Sequence, residues 1–167
     1  LCQAEAPSRH HVVDLLANAK RRSDDGRTDD AVARLYRVIE AIAQVVLKEC
    51  HGIESTERVP LDRIPEQLRR KWESRAEDGT VTLGLQDAYA LLSSLHNPLG
   101  DKFMSAGLAS AKSPLVARNR SILAHGFERV TEKVFESLWR KALDLAEATE
   151  DTLPTFPRLR ENSPLDG

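Results

Sequence analysis

One stretch constrains this chain more than any other. Val32, Leu35, Tyr36, Ile39, Ile42, Ala43 and Val46 recur at the spacing of one helical face without a miss. Val38 and Val45 add a second apolar strip beside it. A helix apolar on more than one side has neighbours on more than one side, so it belongs at the centre of a bundle. Thr28 stands where an N-cap belongs, with Asp29 and Asp30 in the first turn, where the helix dipole favours anions. Gly52 marks the end, after roughly 22 residues or about 33 Å.

The rest of the chain agrees with a helical bundle. Val12, Leu15, Leu16 and Ala19 mark a short amphipathic helix broken by Asp24-Asp25-Gly26. Residues 53–63 read as loop, and Pro65 to Arg75 as a short charged helix before a turn at Asp78-Gly79. Leu85, Ala88, Tyr89, Leu92 and Leu95 mark a further helix that stops at Asn97-Pro98. A short piece with Phe103, Gly107 and Leu108 follows. The last helix starts at Thr131, with Val130 and Phe135 at hydrophobic-staple positions, and buries Phe135, Leu138, Ala142, Leu145 and Ala146. Thr80-Val81-Thr82 is the only extended candidate. The expected fold is all-α, an antiparallel bundle of about five to seven helices with no significant sheet. The expected layout is a linker or remnant of an upstream region over 1–11, a helical domain over 12–152, and an irregular tail over 153–167 containing Pro154, Pro157 and Pro164. The start at Leu1 reads as that of a fragment.

Composition narrows the function. A chain of 167 residues supports one ordinary core, and aromatic residues are only 5% of it. The net charge of −2 and pI of about 6.2 argue against a wide basic surface for nucleic acid, so any RNA contact has to be local, and DNA is not expected. No apolar run reaches the roughly 18–20 residues of a membrane span. Cys2 and Cys50 read as free thiols of a reducing cytoplasm, with Cys50 a small core filler. His10-His11 is an exposed pair in the linker, and His51 and His96 sit near helix C-termini where the dipole favours a positive ring. No Glu-x-x-His, His-Glu-x-x-His, Walker loop or Gly-x-Ser-x-Gly occurs, so no metal and no cofactor is expected in this domain. Asp29 to Glu40 has a faint tetratricopeptide look, but a shift of about 34 residues lands on unrelated sequence. Arg69-Arg70-Lys71 reads as a solvated helix face among acids rather than an RNA contact.

The remaining candidate is Ser113 to Phe127. Ser113 is a good N-cap, Pro114 suits the first helical position, and Gly126 suits the end. At about 100° per residue, Arg118 and His125 project within about 20° of each other along one margin of the apolar arc of Leu115, Val116, Ile122, Leu123 and Phe127. Arg120 falls on the opposite margin, and Asn119 points into the arc, where a buried amide must find partners. Lys112, Arg118, Arg120 and Arg129 make this stretch locally basic. An imidazole titrating near ~6.5 trades protons at neutral pH, and a guanidinium clamps a crowded phosphorane. Arg118 and His125 are therefore the candidate catalytic pair, Asn119, Arg120 and Ser121 supporting residues, and Lys112 and Arg129 RNA contacts.

Arg118-Asn119 followed by His125 in an all-helical domain resembles the Arg-x4–6-His signature of HEPN ribonucleases. Arg118 gives six intervening residues and Arg120 four. The stretch from Arg118 to Phe127, together with Asp29-Asp30-Ala31-Val32-Ala33-Arg34-Leu35-Tyr36-Arg37, resembles more specifically the HEPN part of CRISPR-associated CARF–HEPN proteins of type III systems, over roughly residues 12–150. The resemblance implies a metal-independent endoribonuclease of antiviral defence. It implies a composite site at a homodimer interface, acting on single-stranded RNA and switched on by cyclic oligoadenylate bound to a CARF sensor domain that this chain does not contain. The alternatives are a catalytically silent HEPN dimerisation or binding module, and a helical scaffold for a protein partner.

Overall fold

A computed structural model of the chain describes residues 7–110 and 131–154. Six α-helices and one two-stranded antiparallel sheet are the main elements of these residues. The fold is the all-α bundle the sequence leads one to expect.

Helix α1 (Arg9–Asp24) starts three residues before its apolar stripe. Ser8 is its N-cap, and the Ser8 hydroxyl accepts from the His11 backbone N–H at 3.3 Å. His10 and His11 therefore stand exposed in a first helical turn rather than in a linker. The chain reverses at Gly26, whose φ of +72° suits glycine, and enters α2 (Thr28–His51). Thr28 is the first helical residue and not the cap. Arg27 takes the cap position without a side-chain bond, and its guanidinium pairs with Asp30 at 2.6 Å instead. The first-turn acids thus act through charge rather than through a hydroxyl cap.

Helix α2 is the centre of the bundle. Val32, Leu35, Ile39, Ile42 and Ala43 of its first stripe are buried, and so are Val38, Ala41 and Val45 of its second. Gly52 ends it in the left-handed conformation at φ +63°. The Arg9 guanidinium meets the Glu49 carboxylate at 2.9 Å, which puts the start of α1 beside the end of α2 and makes the pair antiparallel. Cys50 is exposed, which corrects its reading as a core filler. The apolar stripe stops at Leu47, and Lys48 and Glu49 beside Cys50 are exposed as well.

Residues 53–84 form an excursion with little regular structure. Strand β1 (Val59–Pro60) pairs antiparallel with β2 (Thr80–Val81), Val59 opposite Val81. Between them lie a 3₁₀ turn (Leu61–Arg63), helix α3 (Glu66–Trp72) and a second 3₁₀ turn (Glu73–Arg75). Glu77 and Thr80 exchange both backbone hydrogen bonds at 2.9 Å around Asp78 and Gly79, both at positive φ, the geometry that suits a two-residue hairpin. The excursion is anchored by Ile53, Val59, Ile64, Trp72, Val81 and Leu83 in the core. Thr56, the buried polar residue of the described chain, takes a hydrogen bond from the Gln44 amide of α2 at 3.1 Å.

Helices α4 (Leu85–Ser94) and α5 (Pro98–Ser105) make a tight elbow. His96 turns the chain at φ +56°. Asn97 then caps α5, accepting from the Leu99 N–H at 3.0 Å, and Pro98 occupies the first helical position. Asn97-Pro98 is thus both the stop of one helix and the start of the next. A Cβ on Gly100 would lie 2.2 Å from the backbone nitrogen of Ser93, so only glycine allows the two helices this close. Tyr89 of α4 stacks on Phe103 of α5, ring centroids 3.8 Å apart, and its hydroxyl donates to the Ile39 carbonyl of α2 at 2.8 Å. Helix α6 (Glu132–Ala146) closes the bundle against α2 with Phe135, Leu138, Ala142 and Leu145. Thr131 is its N-cap by position, although its hydroxyl makes no capping bond. Trp139, absent from the expected core face, is buried too, and its indole N–H reaches Glu150 Oε1 at 2.7 Å.

Candidate active site

The described helices frame the candidate segment from both sides in sequence. On one side, α5 leads through Gly107, at φ +69°, to the fully buried Leu108, whose carbonyl accepts from the Gln86 side chain at 3.2 Å. On the other, α6 begins at Glu132. Lys102 joins these two stems. Its ammonium donates to the Asp144 carbonyl at 2.6 Å and meets the Asp144 carboxylate at 3.0 Å. The tie thus runs from α5 to the C-terminal end of α6, away from its start at Glu132. Lys112, Arg118, Asn119, Arg120, Ser121, His125 and Arg129 lie outside the described residues, as do the Ser113-Pro114 helix start and the Val130 half of the staple.

A model of the Csm6 HEPN domain matches residues 3–149. The chain belongs to the Csm6 HEPN domain family. No curated protein and no solved structure matches it significantly. The match spans every helix from α1 to α6 and the whole interval between Lys112 and Arg129. It places the HEPN domain within a CRISPR-associated family, as the resemblance of the Arg118–Phe127 and Asp29–Arg37 stretches implies.

The other polar candidates of this HEPN domain have structural explanations. His51 Nε2 lies 3.1 Å from the Asn97 amide nitrogen, whose oxygen is already engaged by Leu99 N–H. The His51 carbonyl accepts from Arg63 Nη2 at 2.7 Å, which covers a C-terminal carbonyl of α2. His51 thus pins the end of α2 to the α4–α5 elbow. His96 is exposed at the left-handed turn after α4. In α3, Arg70 pairs with Glu66 within the helix and Lys71 is exposed, the solvated face expected of that run. Among the described residues no cluster of His, Cys, Asp or Glu could hold a metal ion, and no helix is long and apolar enough to cross a membrane.

An open polar depression of about 450 Å³ lies beside the hairpin, lined by Glu57, Arg58, Arg75, Glu77, Asp78, Thr80 and Thr82. Its groups are largely spent on the fold. Thr82 donates to the Glu57 carbonyl at 2.7 Å, Thr80 to the Glu77 carbonyl at 3.0 Å, and Arg75 pairs with Asp87 at 2.7 Å while its guanidinium sits 5.2 Å from the Trp72 ring centroid. Three carboxylates against two arginines also make it a poor match for a phosphate. Arg34 stands apart from these groups. Its Nε is buried without a hydrogen-bond partner, alone in this among the described side chains. The signal in the sequence is an arginine interrupting the strip that continues through Val38 and Val45.

Proposed function

We propose that this HEPN domain is a metal-independent endoribonuclease that cleaves single-stranded RNA at a site composed of Arg118 and His125 from two copies of the chain. The observation that carries the reading is the family match over residues 3–149, which contains the Arg118–His125 signature in full.

The chemistry follows from the residue types. The ribose 2′-oxygen attacks the adjacent phosphorus, and the bond to the 5′-oxygen of the next nucleotide breaks. One proton leaves the 2′-hydroxyl and one is delivered to the departing 5′-oxygen. The products are a 2′,3′-cyclic phosphate and a 5′-hydroxyl, with no water consumed and no metal required. Imidazole is suited to both proton transfers. Each chain carries a single His125, so a dimer supplies one imidazole to take the proton and one to give it. Arg118 stabilises the charge that builds on the phosphorane oxygens. Asn119 orients the motif helix, Arg120 and Ser121 support it, and Lys112 and Arg129 hold flanking phosphates. In the cell the activity serves antiviral defence in the cytoplasm and is switched on by cyclic oligoadenylate at a sensor domain.

The test is cleavage of a generic single-stranded RNA in EDTA. The wild type cleaves. His125→Ala and Arg118→Ala lose roughly 10²–10⁴-fold in rate, the range of a lost acid–base or charge-stabilising group. Arg120→Ala loses far less. Equal residual cleavage by wild type and His125→Ala removes the catalytic assignment and leaves the silent binding module. A monomer in sedimentation at high concentration removes the composite site.

A further inference from the structure

The described chain satisfies its buried side-chain polar atoms with one exception, Arg34 Nε. The exception stands out against its own helix. Arg27 pairs with Asp30 at 2.6 Å, and Arg37 pairs with Glu40. On α1, Lys20 pairs with Asp24 at 2.6 Å. Asp29 and Arg21 are engaged as well. Arg34 has neither an ion pair nor a hydrogen bond among the described residues.

Its position shows which described residues lie beside it. Arg34 shares an arc of about 80° on α2 with Val38, Ala41, Val45 and Glu49. Glu49 pairs with Arg9 across the seam, so α1 runs along this strip. Val38, Ala41 and Val45 of the strip are buried. Arg34 is only half-buried, so one side of its guanidinium is withdrawn into the bundle while the residue still reaches solvent. Buried charged donors are rarely left unpaired, because desolvation is not repaid without an acceptor. A guanidinium presents five donors in a planar fork, the shape that grips a phosphate or carboxylate with two bonds.

The surroundings favour phosphate. Between residues 20 and 40, Lys20, Arg21, Arg22, Arg27, Arg34 and Arg37 stand against Asp24, Asp25, Asp29, Asp30 and Glu40, in a chain that is net acidic. We propose that Arg34 is a binding residue for the phosphodiester backbone of single-stranded RNA, gripping a phosphate at the α1–α2 seam away from Arg118 and His125. This rests on the endoribonuclease reading, and names where the strand is held outside the reacting bond.

The test uses the full chain and a single-stranded 2′-O-methyl oligonucleotide, which has no 2′-hydroxyl to attack, with binding read by fluorescence anisotropy across a salt series. Arg34→Gln binds roughly tenfold more weakly at low salt. The slope of log K against log salt shrinks by about 0.7, the value of one phosphate contact on a single strand. Arg34→Lys restores the slope but not the full affinity, because it keeps the charge without the fork. The melting temperature of Arg34→Gln is equal to or above that of the wild type, since a buried donor nitrogen without an acceptor has been removed.

Unchanged affinity and slope in Arg34→Gln overturn the proposal. A lowered melting temperature overturns it in favour of a structural role. Weakened self-association with unchanged RNA binding overturns it in favour of a carboxylate on a second copy. If the wild type itself fails to bind the oligonucleotide, the RNA reading falls too, which separates that failure from the failure of Arg34 alone.

Discussion

Helix α2 and the 53–84 excursion sit side by side in the same core and are held by different means. Helix α2 is continuous, and nearly every residue on its inner side is buried. Its stability is spread over many contacts of one kind. The excursion contributes a few isolated anchors, Trp72, Val59 and Val81 among them, and fixes the backbone between them with point bonds. Thr82 to the Glu57 carbonyl at 2.7 Å, Leu83 N–H to the Thr56 carbonyl at 2.7 Å and Gln44 to Thr56 are examples. A distributed interface fails all at once, whereas a pinned loop opens pin by pin.

Substitutions separate the two. Leu35→Ala, at a fully buried position facing the centre of the bundle, costs about 3–4 kcal/mol in denaturant unfolding and lowers every amide's protection together. A purely local loss of protection would break the contrast. Gly79→Ala forces a Cβ onto a residue at φ +71° and costs about 1–2 kcal/mol. Its effect in hydrogen exchange is confined to the hairpin around Glu77 and Thr80. Spread of that effect into α2 would show that the excursion and the helix unfold as one unit.

Tyr89→Phe removes the hydroxyl that donates to Ile39 and costs about 1 kcal/mol at neutral pH. Burial pushes the Tyr89 phenol well above its ordinary value. The folded state therefore holds a proton that the unfolded chain releases near pH ~10. The stability linked to this group is complete below that pH and is lost as pH rises beyond it. Tyr89→Phe should flatten the alkaline limb of the stability curve, and an unchanged limb would assign it to other groups. Smallest of all, Arg70→Ala breaks only an exposed pair with Glu66 and stays within about 0.5 kcal/mol.

The same contrast governs what could be read in advance. The α2 stripe is legible because seven apolar residues repeat one period, and the Gly52 stop and the Asp78-Gly79 turn are legible because glycine at positive φ has few substitutes. The α4–α5 elbow was half legible. Asn97-Pro98 announced a break, but Gly100 acquires meaning only when Ser93 lies against it. Trp139 is not legible from the stripe, because it stands beside Leu138 rather than on it and its indole is satisfied by Glu150 from beyond the helix. The exposure of Cys50 is not legible either, because an apolar stripe says nothing about its own last turn. The candidate site rests on sequence alone, on the spacing of Arg118 and His125, which would make them collinear on a helix, and both lie outside the described residues. The family match covers the same segment without naming those residues.

The most direct test is the chemistry of the cleaved ends. Single-stranded RNA is incubated with the protein in EDTA, and the fragments are weighed by mass spectrometry. The account predicts 5′ fragments ending in 2′,3′-cyclic phosphate, 3′ fragments starting with a 5′-hydroxyl, and neither with His125→Ala. Fragments starting with a 5′-phosphate, cleavage that EDTA abolishes, or identical products from wild type and His125→Ala would contradict it.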